Sequence, residues 1–115
     1  MMFDAIIDFR NKLQAGGVLL GSGIYMTDPQ SSEALADSVD FLWYDLEHQA
    51  MSIEALRNHL MVARHKNKPG IVRVPGPGAA TLKPILDIGA HGIVVPNVCT
   101  VEEVQQIVDD CRFPP

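Results

Sequence analysis

Apolar residues in this chain fall into short continuous runs that alternate with stretches spaced three and four apart, and the alternation repeats four times. Ahead of the repeat, Ile6, Phe9 and Leu13 follow Asp4 at helical spacing, which predicts a short amphipathic helix stopped by Gly16-Gly17. Residues 18–25 read as a first strand, and Asp28-Pro29 supplies a cap and first-turn signal for a helix running to about residue 38. Residues 41–44 form the second strand. The next helix opens near Ser52, carries Ile53, Leu56, Leu60 and Ala63 on one face, and ends in the basic stretch Arg64-His65-Lys66, which suits the negative end of the helix dipole. Residues 71–74 are the third strand, closed by Pro75-Gly76-Pro77-Gly78, which continues neither strand nor helix. Leu82, Ile85 and Leu86 make a short helix that Gly89 terminates, and Ile93-Val94-Val95 is strand four. Thr100 and Glu103 then form a capping box opening a helix through Val104, Ile107 and Val108.

The strands start near residues 18, 41, 70 and 92, at steps of 23, 29 and 22. That rhythm is a βα repeat and predicts a parallel sheet. A (β/α)8 barrel contains eight such units in about 250 residues. Four parallel βα units preceded by a short helix therefore predict an α/β chain corresponding to the first half of such a barrel, over residues 1–115 and truncated before the second half. A flavodoxin-like or response-regulator domain fits less well, because the acidic pair near the first strand and the Lys near the last are missing.

Chemistry concentrates where Phe41-Leu42-Trp43-Tyr44 breaks into Asp45, Glu47 and His48. The apolar run reads as a strand covered on both faces, and its C-terminal end is where α/β folds place reacting groups. Histidine is the side-chain type suited to proton exchange near neutral pH, which singles out His48, and Asp45 three residues earlier is placed to orient its ring. Glu47 is one oxygen ligand where a hard cation needs several, so it does not make a metal site alone. Arg73 lies inside the third strand near its C-terminal rim, where a cation is costly unless it has a partner. It either clamps a ligand carboxylate with two parallel hydrogen bonds or closes an internal ion pair with a carboxylate such as Asp45 or Asp87. His59, His65 and His91 read as solvated or capping residues. Pro75-Gly76-Pro77-Gly78 lacks the Lys of a phosphate-binding loop, and Gly21-Ser22-Gly23 lacks the third glycine of a dinucleotide fingerprint.

A hydrophobic content of 47 % with 20 % charged residues is globular composition and excludes disorder. The net charge of -5, with scattered Lys and Arg, argues against a nucleic-acid partner. No apolar run approaches the roughly 20 residues of a membrane span, and Asp4 and Asp8 replace the basic start of a secretory signal. A cytoplasmic location and no membrane partner are the expectation. Cys99 and Cys111 are too far apart for a CxxC motif and read as reduced thiols, at least one of them buried.

D-x-E-H after a hydrophobic strand, then I-V-R-V-P, L-D-I-G-A-H-G-I-V-V-P and R-F-P-P, in this order and at these spacings, resembles the HpcH/HpaI aldolase family over nearly the whole chain. The resemblance implies a barrel enzyme, a class II carbon–carbon lyase that cleaves 4-hydroxy-2-oxo acids or 2-keto-3-deoxy sugar acids to pyruvate and an aldehyde. It implies that His48 moves the aldol hydroxyl proton with Asp45 orienting it, and that Arg73 contacts the pyruvate carboxylate and oxo group. Tyr25 is implied near the pocket, with a packing role as the alternative. Asp87 is implied near the active-site rim, with loop anchoring as its alternative. The divalent metal, Mg2+ or Mn2+ with Co2+ as a further option, is implied to be held by a Glu and an Asp of the second half, leaving Glu47 an outer-shell residue at most. A 2-oxo acid and an aldehyde are the expected small-molecule partners, and a homo-oligomer or a complementing half-barrel the expected macromolecular one. The alternative in a different class is a catalytically inactive fragment or assembly module.

Overall fold

The computed structural model describes residues 3–112, so the last three residues of the R-F-P-P segment lie outside the described residues. Eight elements alternate after the initial helix α1 (Asp4–Gln14): β1 (Gly21–Ile24), α2 (Gln30–Ala36), β2 (Phe41–Asp45), α3 (Ile53–His65), β3 (Gly70–Arg73), α4 (Ala79–Asp87), β4 (Gly92–Val94) and α5 (Val101–Asp110). All strand pairings are parallel, in the order β1-β2-β3-β4. Only β1 is shorter than the apolar run that predicts it; β2 extends one residue further, to Asp45, and β3 and β4 each lie one residue earlier than expected. β1 begins at Gly21 rather than 18 because Val18 and Leu20 lie exposed outside the sheet.

Local chemistry sets the helix starts. Ser52 accepts a hydrogen bond from the Ala55 amide at 3.1 Å to open α3. Thr100 and Glu103 form the expected reciprocal capping box on α5. Asp28 accepts from the Gln30 amide at 2.9 Å, so it caps α2 as anticipated although the regular helix starts two residues later. Gly16, at φ +82°, turns the chain out of α1 in a left-handed conformation that a side chain would strain.

The pleat divides the sheet into two unlike faces. Ile24, Leu42, Tyr44, Val72 and Val74 are sealed against Ala36 of α2, Leu56, Leu60 and Ala63 of α3, and Leu82 and Ile85 of α4. Phe41, Trp43 and Ile71 point to the other face and are only half-buried. The expectation that residues 41–44 are covered on both faces is therefore corrected: among the described residues, α2, α3 and α4 cover one face, and on the other α1 reaches Phe41 while Trp43 and Ile71 stay half-buried. On this second face large residues fill the places of small ones. The Phe41 ring occupies the space a Gly21 side chain would need, and Ile71 that of Gly92. Phe41 in turn meets Phe9 of α1 edge-on, with ring centroids 5.5 Å apart, which anchors the initial helix beneath the sheet.

Among the described residues, no helix is long and apolar enough to cross a membrane. Both cysteines are free, Cys99 exposed and Cys111 only partly buried, so the expectation of a fully buried thiol is not met.

Candidate active site at the C-terminal ends of β2 and β3

Strand register builds the centre of the site. Asp45 and Arg73 are the last residues of adjacent parallel strands and are direct partners, so both side chains project to the face of Phe41 and Trp43 at the same level. Arg73 donates from Nε to Asp45 Oδ1 at 3.0 Å and from Nη2 to Asp45 Oδ2 at 2.6 Å, a two-bond fork on a carboxylate that is only 4 % exposed. Asp45 Oδ1 also accepts from the backbone amides of Glu47 at 2.9 Å and His48 at 3.3 Å. The Arg73 fork, aided by these two amides against the opposing effect of burial, holds the Asp45 carboxyl down at about 2. The same pair raises the Arg73 pKa, with smaller contributions from Glu47 and Tyr25.

Asp45 does not orient the His48 ring. Its oxygens are engaged by Arg73 and the turn, and the residue against the imidazole is Glu47, whose Oε1 lies 2.8 Å from His48 Nε2 and 3.5 Å from Arg73 Nη1. A carboxylate only accepts, so Nε2 carries the hydrogen and the neutral ring keeps its lone pair on Nδ1. The His48 side chain is 69 % exposed, open to a ligand. Of the two alternatives for Arg73, the internal pair with Asp45 is present, and it changes what the cation can offer. Its Nε/Nη2 edge is occupied, and a ligand carboxylate would meet the remaining N–H groups of Nη1 and Nη2 end-on. The Trp43 ring lies beside the guanidinium, 5.9 Å from Cζ to the ring centroid.

Tyr25 follows the last residue of β1 at the same end of the sheet. It is exposed, and its hydroxyl lies where a Cβ on Gly23 would approach to 2.6 Å, so the absence of a side chain at Gly23 lets the phenol rest across the strand. Asp87 does not join this group. It ends α4, which runs back along the sheet, and it lines a cleft of about 590 Å³ with Phe3, Gly89 and His91 at the other end of the strands. That cleft thus lies away from the charged cluster. At the cluster, an exposed imidazole, a cation and a register-fixed carboxylate meet at the C-terminal ends of β2 and β3, the end of the strands where α/β folds place reacting groups.

A divalent cation does not fit this set of residues. Among the described residues no group of three or more His, Cys, Asp and Glu is placed to hold one, and both nearby carboxylates already face cationic or imidazole partners.

His59 departs most from its expected role. It is fully buried rather than solvated, with Nδ1 2.8 Å from Ser32 Oγ and Nε2 2.9 Å from the Met26 carbonyl, while Ser32 Oγ is 2.9 Å from the Tyr44 hydroxyl. No sequence signal marks this group, since its members lie on separate elements and meet only in the fold. His91 is part-buried, and its Nδ1 accepts from the Gly70 amide at 3.2 Å, which ties the start of β3 rather than capping a helix. His65 is exposed at the end of α3.

A model of the family described as HpcH/HpaI aldolase/citrate lyase matches residues 27–115. The hydroxypyruvate/pyruvate aldolase of Roseobacter denitrificans is 32 % identical over 108 residues, covering 93 % of this chain and 42 % of that protein. The 2-keto-3-deoxy-L-rhamnonate aldolase of Escherichia coli is 35 % identical over 109 residues, covering 93 % and 40 %. Among solved structures, that of an HpcH/HpaI aldolase from Desulfitobacterium hafniense superimposes with a TM-score of 0.83 at 28 % identity, covering 92 % of this chain and 42 % of that one. The chain spans about two-fifths of the length of the relatives it matches, and its four parallel strands with alternating helices correspond to the N-terminal half of their barrel.

Proposed function

The chain belongs to the HpcH/HpaI aldolase/citrate lyase family, and from that premise we propose that residues 1–115 supply the first four βα units of a barrel that cleaves 4-hydroxy-2-oxo acids or 2-keto-3-deoxy sugar acids to pyruvate and an aldehyde. The observation that carries this reading is the register-matched Asp45–Arg73 fork with Glu47 and His48 beside it. In cleavage, the His48 lone pair takes the proton of the aldol hydroxyl. The O–H electrons form the aldehyde C=O, the carbon–carbon bond breaks, and its electron pair passes into the pyruvate enolate. Arg73, kept charged and aimed by Asp45, meets the substrate carboxylate and the developing enolate oxygen with its remaining donors. Glu47 orients the His48 ring, and Tyr25 walls the pocket from β1.

Membership supports a divalent metal in the complete enzyme. Direct ligands for it are not assigned to this chain, because the residues present do not fit one, and no step above depends on it. Conversion of a 4-hydroxy-2-oxo acid to pyruvate, followed in protein carrying the complete barrel, tests the reading. Arg73→Lys and His48→Ala variants with undiminished turnover would overturn it. A second reading, an assembly module that pairs with a complementing half-barrel or another copy, is favoured by the β1 and β4 edges, each of which has a strand partner on one side only among the described residues.

A further inference from the structure

Behind the site, four elements converge on one buried imidazole that the reaction does not use. His59 of α3 contacts Ser32 of α2, Ser32 contacts Tyr44 of β2, and the far ring nitrogen reaches the Met26 carbonyl in the β1–α2 connection. We propose that His59 is a positioning residue: by holding the Met26 carbonyl it fixes the β1–α2 connection and so sets Tyr25, the neighbouring residue, across Gly23 at the rim of the pocket. The inference rests on the reading of Tyr25 as a pocket wall.

The hydrogen bonds run in one direction only. The Met26 carbonyl accepts, so Nε2 carries the hydrogen and, in a neutral ring, Nδ1 must accept from the Ser32 hydroxyl. Ser32 Oγ is then free to accept from the Tyr44 hydroxyl, which keeps its proton because burial pushes its pKa up to about 12. Burial likewise lowers the His59 pKa and favours the neutral ring, although the Met26 and Thr27 backbone and the Asp28 charge oppose it. Every buried side-chain polar atom described is satisfied, so the ring has one working tautomer and one orientation.

The two ends of this chain of hydrogen bonds differ in what they secure. Ser32 and Tyr44 are sealed in the core and stay bonded to each other if the imidazole is lost. Residues 25–28 are exposed, and water replaces His59 at the Met26 carbonyl without leaving it unsatisfied. Loss of the imidazole therefore frees the β1–α2 connection more than it weakens the core.

Hydrogen exchange on the 115-residue chain tests this directly. His59→Leu keeps an apolar plug but no polar contact. It should speed exchange at the Gln30 and Ser31 amides, the hydrogen-bonded donors of that turn, by about 10-fold or more, with β2 and β3 changed by less than about 2-fold. His59→Gln, whose amide oxygen and nitrogen are spaced much as the two ring nitrogens, should restore most of the protection. Uniform acceleration through β2 and β3, or none at the turn, would overturn the proposal. In complete barrel protein a double-mutant cycle adds a functional arm. His59→Leu should lower kcat/KM about 10-fold with Tyr25 present and by less than about 2-fold in a Tyr25→Ala background; independent losses would refute action through Tyr25. Absence of aldol turnover in every form would count against the proposed reaction, while the exchange result would still decide the role of His59.

Discussion

Asp45 and Arg73 end neighbouring strands in direct register, and the guanidinium closes on the carboxylate through two bonds of 3.0 and 2.6 Å. A pair so placed has two consequences: it fixes where the sheet can present a cation, and it makes one carboxyl far more acidic than usual.

The acidity links stability to pH. The folded-state pKa of Asp45 is depressed from its ordinary 3.8 to about 2. Its contribution, about 2 kcal/mol, is therefore present above pH 3.8 and lost as the pH falls towards 2. Denaturant titrations from pH 6 to 2 should show this decline, and Asp45→Asn, less stable by about 2–4 kcal/mol at pH 7, should lack that component. An Asn variant with the wild-type acid profile would assign the decline elsewhere.

Arg73→Lys should behave as a severe change. A point charge on a flexible stem cannot hold both Asp45 oxygens and also meet a ligand end-on. In protein with the complete barrel, both pyruvate binding and turnover should fall. Retention of wild-type kcat/KM would leave Arg73 as an ion-pair partner only.

His48→Ala should lower kcat for retro-aldol cleavage by roughly 10²- to 10⁴-fold, the usual worth of a positioned general base. Exchange of the pyruvate methyl protons, which does not involve the aldol hydroxyl, should fall less. Equal loss of both activities would contradict the division of labour between His48 and Arg73.

Gly21→Ala should destabilise the chain by about 1–3 kcal/mol. The added methyl would collide with the Phe41 ring, and that ring is held in place by its edge-on contact with Phe9. A thermal midpoint equal to the wild type would show that Phe41 can move aside.

The 115 residues purified alone should self-associate or bind a hydrophobic dye and show no aldol cleavage with Mn2+ or Mg2+. β1 and β4 each have one unpaired edge among the described residues, and Phe41, Trp43 and Ile71 lie half-buried on the face opposite α2, α3 and α4. Light scattering that reports a dye-free monomer, or turnover at about 1 s⁻¹ or more, would refute this.

The elements themselves were legible along the chain, because they depend on signals a few residues apart. Apolar runs gave the strands, Ser52 and the Thr100–Glu103 box marked helix starts, and Asp45, Glu47 and His48 stood out as charges ending an apolar run. Which of these side chains touch was not legible. Arg73 had open alternatives in Asp45 and Asp87 until strand register placed one beside it and the return direction of α4 carried the other to the opposite end of the sheet. Glu47 rather than Asp45 faces the His48 ring because the fork and the turn amides already occupy the Asp45 oxygens. His59 gave no hint at all. Its partners stand 15 to 33 residues away, and only packing α2 and α3 onto β2 turns a helical histidine of ordinary appearance into a buried hydrogen-bonded hub. Spacing along the chain determines which groups are available at a strand end, whereas register and burial, which are properties of the assembled sheet, decide their partners and protonation.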